Sequence, residues 1–179
     1  MSEVIEVSTA RRANWARDFA VVGGVSSFLA PILITGTALG MVTLFVTTAA
    51  GALSGALLGG LLRRPLRGAL GSAPWPLLVL LCLGIGACWG ALVGAVGAST
   101  LMLDAAPFSR GEVLPVYVYF MSFAAVAAAA QLAWFGVAYA RTDRADGPTW
   151  PLLLAAAGTP FLGWAGLGFV SSGMWLLGR

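Results

Sequence analysis

Charged positions along this chain come in short clusters, and the sequence between them is apolar. The clusters occupy residues 3–18, 63–67, 104–112, 141–146 and the terminal Arg179. The stretches 19–62, 68–103, 113–140 and 147–178 contain no Asp, Glu, Lys or Arg. About 20 apolar residues in a helix cross the roughly 30 Å core of a bilayer, so each stretch is long enough to span. Residues 19–62 as one helix would run about 66 Å, twice the thickness, and are read as two spans turning near 36–40. Pro31 predicts a kink in the first of them. The predicted spans are about 18–36, 41–62, 75–102, 113–140 and 150–177. The pattern therefore predicts an all-α integral membrane protein with five transmembrane helices in a single domain over 1–179. Residues 1–17 form a cytoplasmic or interfacial segment, with Trp15 dipping into the headgroups.

Arginine placement sets the expected orientation. With five spans and a cytoplasmic N-terminus, Arg11, Arg12, Arg17, Arg63, Arg64, Arg67, Arg141 and Arg144 fall inside, facing lipid headgroups. Arg110 and Arg179 fall outside, as does the C-terminus. Merging 19–62 into one span would move Arg63, Arg64 and Arg67 outward and weaken that asymmetry, so the positive-inside rule favours five. Trp75, Trp150, Trp175, Tyr117 and Tyr119 fall near expected interfaces, where aromatic belts form. Trp89 and Trp164 fall at mid-span and read as helix-packing residues in preference to ligand contacts. Ser109 and Glu112 match a capping box at the start of the fourth span. Pro115 complicates that start. The alternative places it in the first turn of the span, with residues 109–113 forming a separate turn.

Composition then narrows the class. Of 179 residues 59% are hydrophobic and 9% charged, and the mean hydropathy is +0.91. Soluble domains carry about 25% charged residues. The net charge of +3 comes from arginines beside the spans, which points to topology and headgroup contacts and away from nucleic acid. Arginine without lysine, amid abundant Ala, Gly and Leu, suggests a bacterial chain, placed in the inner (plasma) membrane.

Absent residues exclude chemistries. Without histidine there is no histidine-ligated haem, no HExxH metalloprotease site and no serine–histidine protease. Cys82 and Cys88 lie six positions apart, on different faces of one helix, and read as packing residues with neither a disulfide nor a metal between them. The segment DRADG, 143–147, is similar to the DxxDG of CDP-alcohol-type lipid-headgroup transferases. Here PTWP follows it, and no acidic residue comes after Asp146, so it reads as a solvated turn. No catalytic residue, cofactor or metal is expected. The strongest polar group at membrane depth is Gln131, read as an interhelical hydrogen-bonding residue with a substrate contact as the alternative. Thr159 accompanies it within Gly158-Thr159-Pro160, which predicts a break in the fifth span.

Two rows of small residues complete the pattern. In the second span, steps of four give Thr43, Thr47, Gly51, Gly55 and Gly59. In the third they give Cys82, Gly86, Gly90, Gly94 and Ala98. Four-residue spacing keeps such residues on nearly one face, and small faces let helices approach closely in lipid. With both spans level at Leu62 and Trp75, Gly55 would meet Cys82, and Thr47 would meet Gly90. The rows thus predict a small-residue-packed antiparallel hairpin of the second and third spans. A face turned toward another chain is the competing reading.

These features point to a non-enzymatic subunit or scaffold of a larger membrane complex, with the bilayer and a membrane-protein partner or a second copy as its contacts. The alternative is a small facilitator or channel for an uncharged or lipid-like solute, acting as a homo-oligomer.

Overall fold

A computed structural model of the chain describes residues 14–35, 41–68, 72–104, 110–141, 150–166 and 168. These residues are helical, with short turns. The helices are α1 (Trp15–Thr35), α2 (Met41–Arg67), α3 (Trp75–Asp104), α4 (Arg110–Arg141) and α5 (Trp150–Ala157). A turn at Gly158 ends α5, and helical backbone resumes over 159–166. Four helices, α1 to α4, are long and apolar enough to cross a membrane. The chain is thus a multi-pass membrane protein by length and composition. Residues 19–62 form two helices, as their excess length requires. The expected fifth span at 150–177 and the turn at 36–40 fall partly or wholly outside the described residues. So do Arg11, Arg12, Arg144, Ser109 and the DRADG segment.

Local chemistry explains the helix ends. Asn14 caps α1: its side-chain oxygen accepts the Arg17 amide at 3.2 Å, and its carbonyl accepts the Asp18 amide at 3.0 Å. Beside that start, α2 runs past Leu62 to Arg67, carrying Arg64 and Arg67 in its last turn, where a helix dipole favours cations. The Gly68 amide closes that turn on the Arg64 carbonyl at 3.0 Å. α4 runs unbroken from Arg110 with Pro115 inside it, so residues 110–113 belong to the helix and do not form a turn separate from it.

The small-residue rows pack, but with partners other than those expected. The four helices form two tight antiparallel hairpins, α1 with α2 and α3 with α4. A Cβ added to Gly55 would collide with the Phe19 carbonyl, and one on Gly59 would lie 2.6 Å from the Trp15 carbonyl. Gly51 faces Gly23 and Ser27 in the same way. On the other hairpin, Gly94 faces the Phe120 carbonyl, Gly90 that of Ala124 and Gly86 that of Ala128. Each four-residue step along one helix is matched by a four-residue step back along its neighbour. The expected pairing of the second and third spans, with Gly55 on Cys82 and Thr47 on Gly90, is therefore corrected. The reason is complementarity: α1 offers Gly23 and Ser27, and α4 offers Ala124 and Ala128, each pair four residues apart. A glycine row needs an exposed backbone opposite it, and a small residue of any kind provides one.

The hairpins meet in an apolar core at one end of the bundle. Trp15, Phe19, Val22, Leu62, Leu66, Leu78, Cys82, Leu132, Phe135 and Ala156 form it, drawing on all five helices. Trp15 stacks on Phe19 with ring centroids 6.1 Å apart, and Phe135 meets Phe19 edge-on at 4.8 Å. The Arg67 guanidinium lies 5.9 Å from the Trp15 ring centroid. Trp15 is 1% exposed, which corrects its expected place among lipid headgroups. Asp18 is also buried within α1, and Arg17 donates to its Oδ1 from Nε and Nη2, both at 3.0 Å. The first span thus carries a paired carboxylate at its start, where the sequence pattern had placed the last charge before the span.

Candidate functional site

The core occupies only one end of the bundle. Toward the other end the hairpins stay separately sealed and leave a cavity of about 130 Å³ between them. Phe19, Leu58 and Leu132 belong to both the core region and the cavity wall, so the core forms the cavity floor. From there the walls continue along Ser26 to Pro31 of α1 and Val46 to Ser54 of α2. Trp89 to Thr100 of α3 and Phe120 to Ala128 of α4 line the facing side, and Thr159 and Pro160 close the set. Among the described residues no ionisable side chain lies on this wall. Small residues explain why the void sits between hairpins: glycine, alanine, serine and threonine make up most of the facing walls and are too short to fill the gap.

The sequence-selected residues divide between seam, core and cavity. Gly51, Gly55, Gly90 and Gly94 sit at the seams and also border the cavity, whereas Gly59 and Gly86 serve the seams alone. Cys82 is buried in the core, Cys88 is exposed on another face, and Thr43 and Ala98 are buried. Thr47 lines the cavity and donates to the Thr43 carbonyl of its own helix at 2.8 Å. Trp89 belongs to the cavity wall, while Trp164 is exposed. Arg17, Arg63, Arg64 and Arg67 are exposed at the helix ends, and Arg141 ends α4. Gly23, Ser26, Ser27, Ala124 and Ala128 are the residues that sequence reasoning missed. Their signal was present as small residues four apart on α1 and α4, diluted there by serine and by a run of alanines.

Gln131 and Thr159 come together at the edge of the floor. Pro160 has no amide proton, so the Ala156 carbonyl lacks its usual helical donor four residues on. Thr159 Oγ1 donates to that oxygen at 2.9 Å, and Gln131 Nε2 donates to it at 3.2 Å. Gln131 Nε2 also donates to Ser26 Oγ at 2.7 Å. One amide thereby ties α4 to α1 and to the broken α5 segment. Two further cavity hydroxyls are spent locally: Ser54 on the Gly51 carbonyl at 3.1 Å and Thr100 on that of Gly97 at 2.8 Å. Such back-bonding hides a hydroxyl proton from a ligand.

Among the described residues no group of three or more potential metal-ligating side chains occurs. The site is a neutral, mostly apolar recess with one cross-helix polar cluster. Such a recess offers apolar contact to most of a molecule and hydrogen bonding at one point. No family model, curated protein or solved structure matches the chain.

Proposed function

We propose that this chain binds an uncharged, lipid-like solute in the cleft between its two hairpins, as a small carrier or facilitator within the membrane. The observation that carries the reading is the uncharged cavity lined by α1 to α4 and floored by Phe19, Leu58 and Leu132. An apolar cavity of roughly 150 Å³ accommodates a molecule the size of benzene, so the recess suits a chain segment or ring of a larger amphiphile. A charged solute would meet no counter-charge there and would lose its hydration. The floor separates the recess from the arginine-bearing end, so passage would require the hairpins to shift against one another, as packed repeats do in larger transporters. The tight seams within the hairpins and the looser junction between them favour that division of motion.

The reading is non-enzymatic and places the chain in a bacterial inner membrane. Arg17 and Arg67 share one end of the bundle, beside Trp15, which supports a cytoplasmic N-terminus with arginines inside. The fifth span and an outer C-terminus complete the proposed topology. A role as subunit or scaffold of a larger complex stands second, because the exposed apolar exterior is covered equally well by lipid.

The test is solute movement in proteoliposomes holding the purified chain, using an uncharged fluorescent lipid analogue. Val93→Phe and Ala50→Phe place bulk in the cleft without touching the glycine seams. Flux above that of protein-free vesicles, lowered in both variants, supports the reading. Flux absent from wild type, together with stoichiometric co-purification of another membrane protein in mild detergent, overturns it in favour of the subunit.

A further inference from the structure

Side-chain amides present two nearly indistinguishable ends, and their orientation follows from their partners. The Gln131 amide has one partner that admits no choice. The Ala156 carbonyl can only accept, so the amide nitrogen must be the end that faces it, at 3.2 Å. The same nitrogen donates to Ser26 Oγ at 2.7 Å. Both protons of Nε2 are then engaged, and Oε1 is held as the other end of the group. Among the described residues Oε1 accepts no hydrogen bond. Ser26 is the complement: its oxygen accepts from Gln131, and its own proton has no acceptor among the described residues. Both residues line the cavity.

We infer that the cleft recognises a neutral hydroxyl group, which donates to Gln131 Oε1 and accepts from the Ser26 hydroxyl. The inference rests on the proposed binding cleft and names the class of its ligand: a long-chain or cyclic aliphatic alcohol. Other head groups fit the pair less well. A ketone or ether accepts from Ser26 but leaves Oε1 without a donor. A carboxylate sets negative charge against Oε1, and an ammonium group brings a charge into a wall that has no counter-ion. A hydroxyl offers one donor and one acceptor, matching what the pair lacks. The rest of the wall is mostly apolar, with Phe123, Ala127 and Trp89 placed for contact with an aliphatic body.

The experiment uses the full chain in lipid nanodiscs with two photoreactive probes, a long-chain primary alcohol carrying an alkyl diazirine and its methyl ether. Labelling is mapped to peptides by mass spectrometry. The expected result is that the alcohol labels the cavity-wall segments of α3 and α4 about three- to tenfold more than the ether. In Gln131→Leu the alcohol should fall to the level of the ether while ether labelling stays unchanged, whereas Ser26→Ala removes the donor that both probes use and should lower both. Equal labelling by the two probes in wild type means that water fills the polar pair, which overturns hydroxyl recognition and leaves the cleft as an apolar site. Equal loss of both probes in Gln131→Leu makes the pair a strut between helices, and also overturns it. Labelling confined to lipid-facing residues with either probe overturns the cleft reading itself.

Discussion

Gln131 and Thr159 donate to the same oxygen, the Ala156 carbonyl, at 3.2 and 2.9 Å. Pro160 creates the need for both, because it removes the amide that would otherwise bond there. In lipid a backbone carbonyl without a donor has no water to turn to. The proline break is therefore stabilised from its own helix by Thr159 and from α4 by Gln131.

That shared acceptor predicts a coupling. Thr159→Val keeps shape and removes the hydroxyl, at an expected cost of about 0.6–1.7 kcal/mol. In a Pro160→Ala background the restored amide can bond Ala156, so the same substitution should cost less. A double-mutant cycle, read by reversible unfolding in mixed detergent micelles, measures the difference. Equal costs in both backgrounds would show that Thr159 does not serve the carbonyl that Pro160 frees.

Glycines in this chain divide by what lies opposite them. Gly55 and Gly90 face backbone carbonyls of α1 and α4, whereas nothing lies within 4 Å of a Cβ at Gly60 or Gly84. Gly55→Ala and Gly90→Ala should each destabilise the monomer by about 1–3 kcal/mol through forced separation of a hairpin. Gly60→Ala and Gly84→Ala should be neutral, or stabilise by roughly 0.5–1 kcal/mol, since alanine is the better helix former. Detergent unfolding of the four single variants checks the sign at each site. Destabilisation at Gly60 matching that at Gly55 would refute the seam assignment.

The span pattern was legible because it depends on length and on where charge stops, and both are one-dimensional. Splitting 19–62 followed from arithmetic on helix rise. Which faces meet was not legible, because four-residue spacing marks a face as small without saying what approaches it. The partners of Gly90 and Gly94 are the carbonyls of Ala124 and Phe120, and a backbone carbonyl leaves no mark in sequence. Trp15 misled for a related reason. A tryptophan beside arginines at a span start has the composition of an interface, but Leu66 and Arg67 of α2 join Phe19 in enclosing it, and the local pattern does not see α2. Gln131 and Thr159 were each visible as polar residues at depth. Their convergence on one oxygen, and the role of Ser26, required the packed helices.

Trp15 gives a prediction for the closed end. It is the largest side chain in the core and joins α1 to the last turn of α2 beneath Arg67. Trp15→Ala should cost about 3–5 kcal/mol, as for other buried large-to-small changes. Trp75, 67% exposed at the start of α3, should tolerate alanine with less than about 1 kcal/mol lost. Thermal unfolding in detergent separates the two. A Trp15 variant as stable as the Trp75 variant would return Trp15 to the membrane interface.

The cavity predicts a conflict between stability and binding. An apolar void between packed helices costs the contacts that its lining lacks, and filling it commonly stabilises by about 0.5–2 kcal/mol. Ala50 lies on the cavity wall and is only partly buried. Ala50→Leu should therefore raise the unfolding midpoint while lowering occupancy by an apolar probe. Ala128 lies at the α3–α4 seam, where it also borders Gly90, and Ala128→Leu should lower the midpoint by overpacking. Unfolding and probe binding measured on both variants decide between a functional recess and an ordinary packing defect. A defect would let Ala50→Leu gain stability with probe binding unchanged, because no ligand would be using the space that leucine fills.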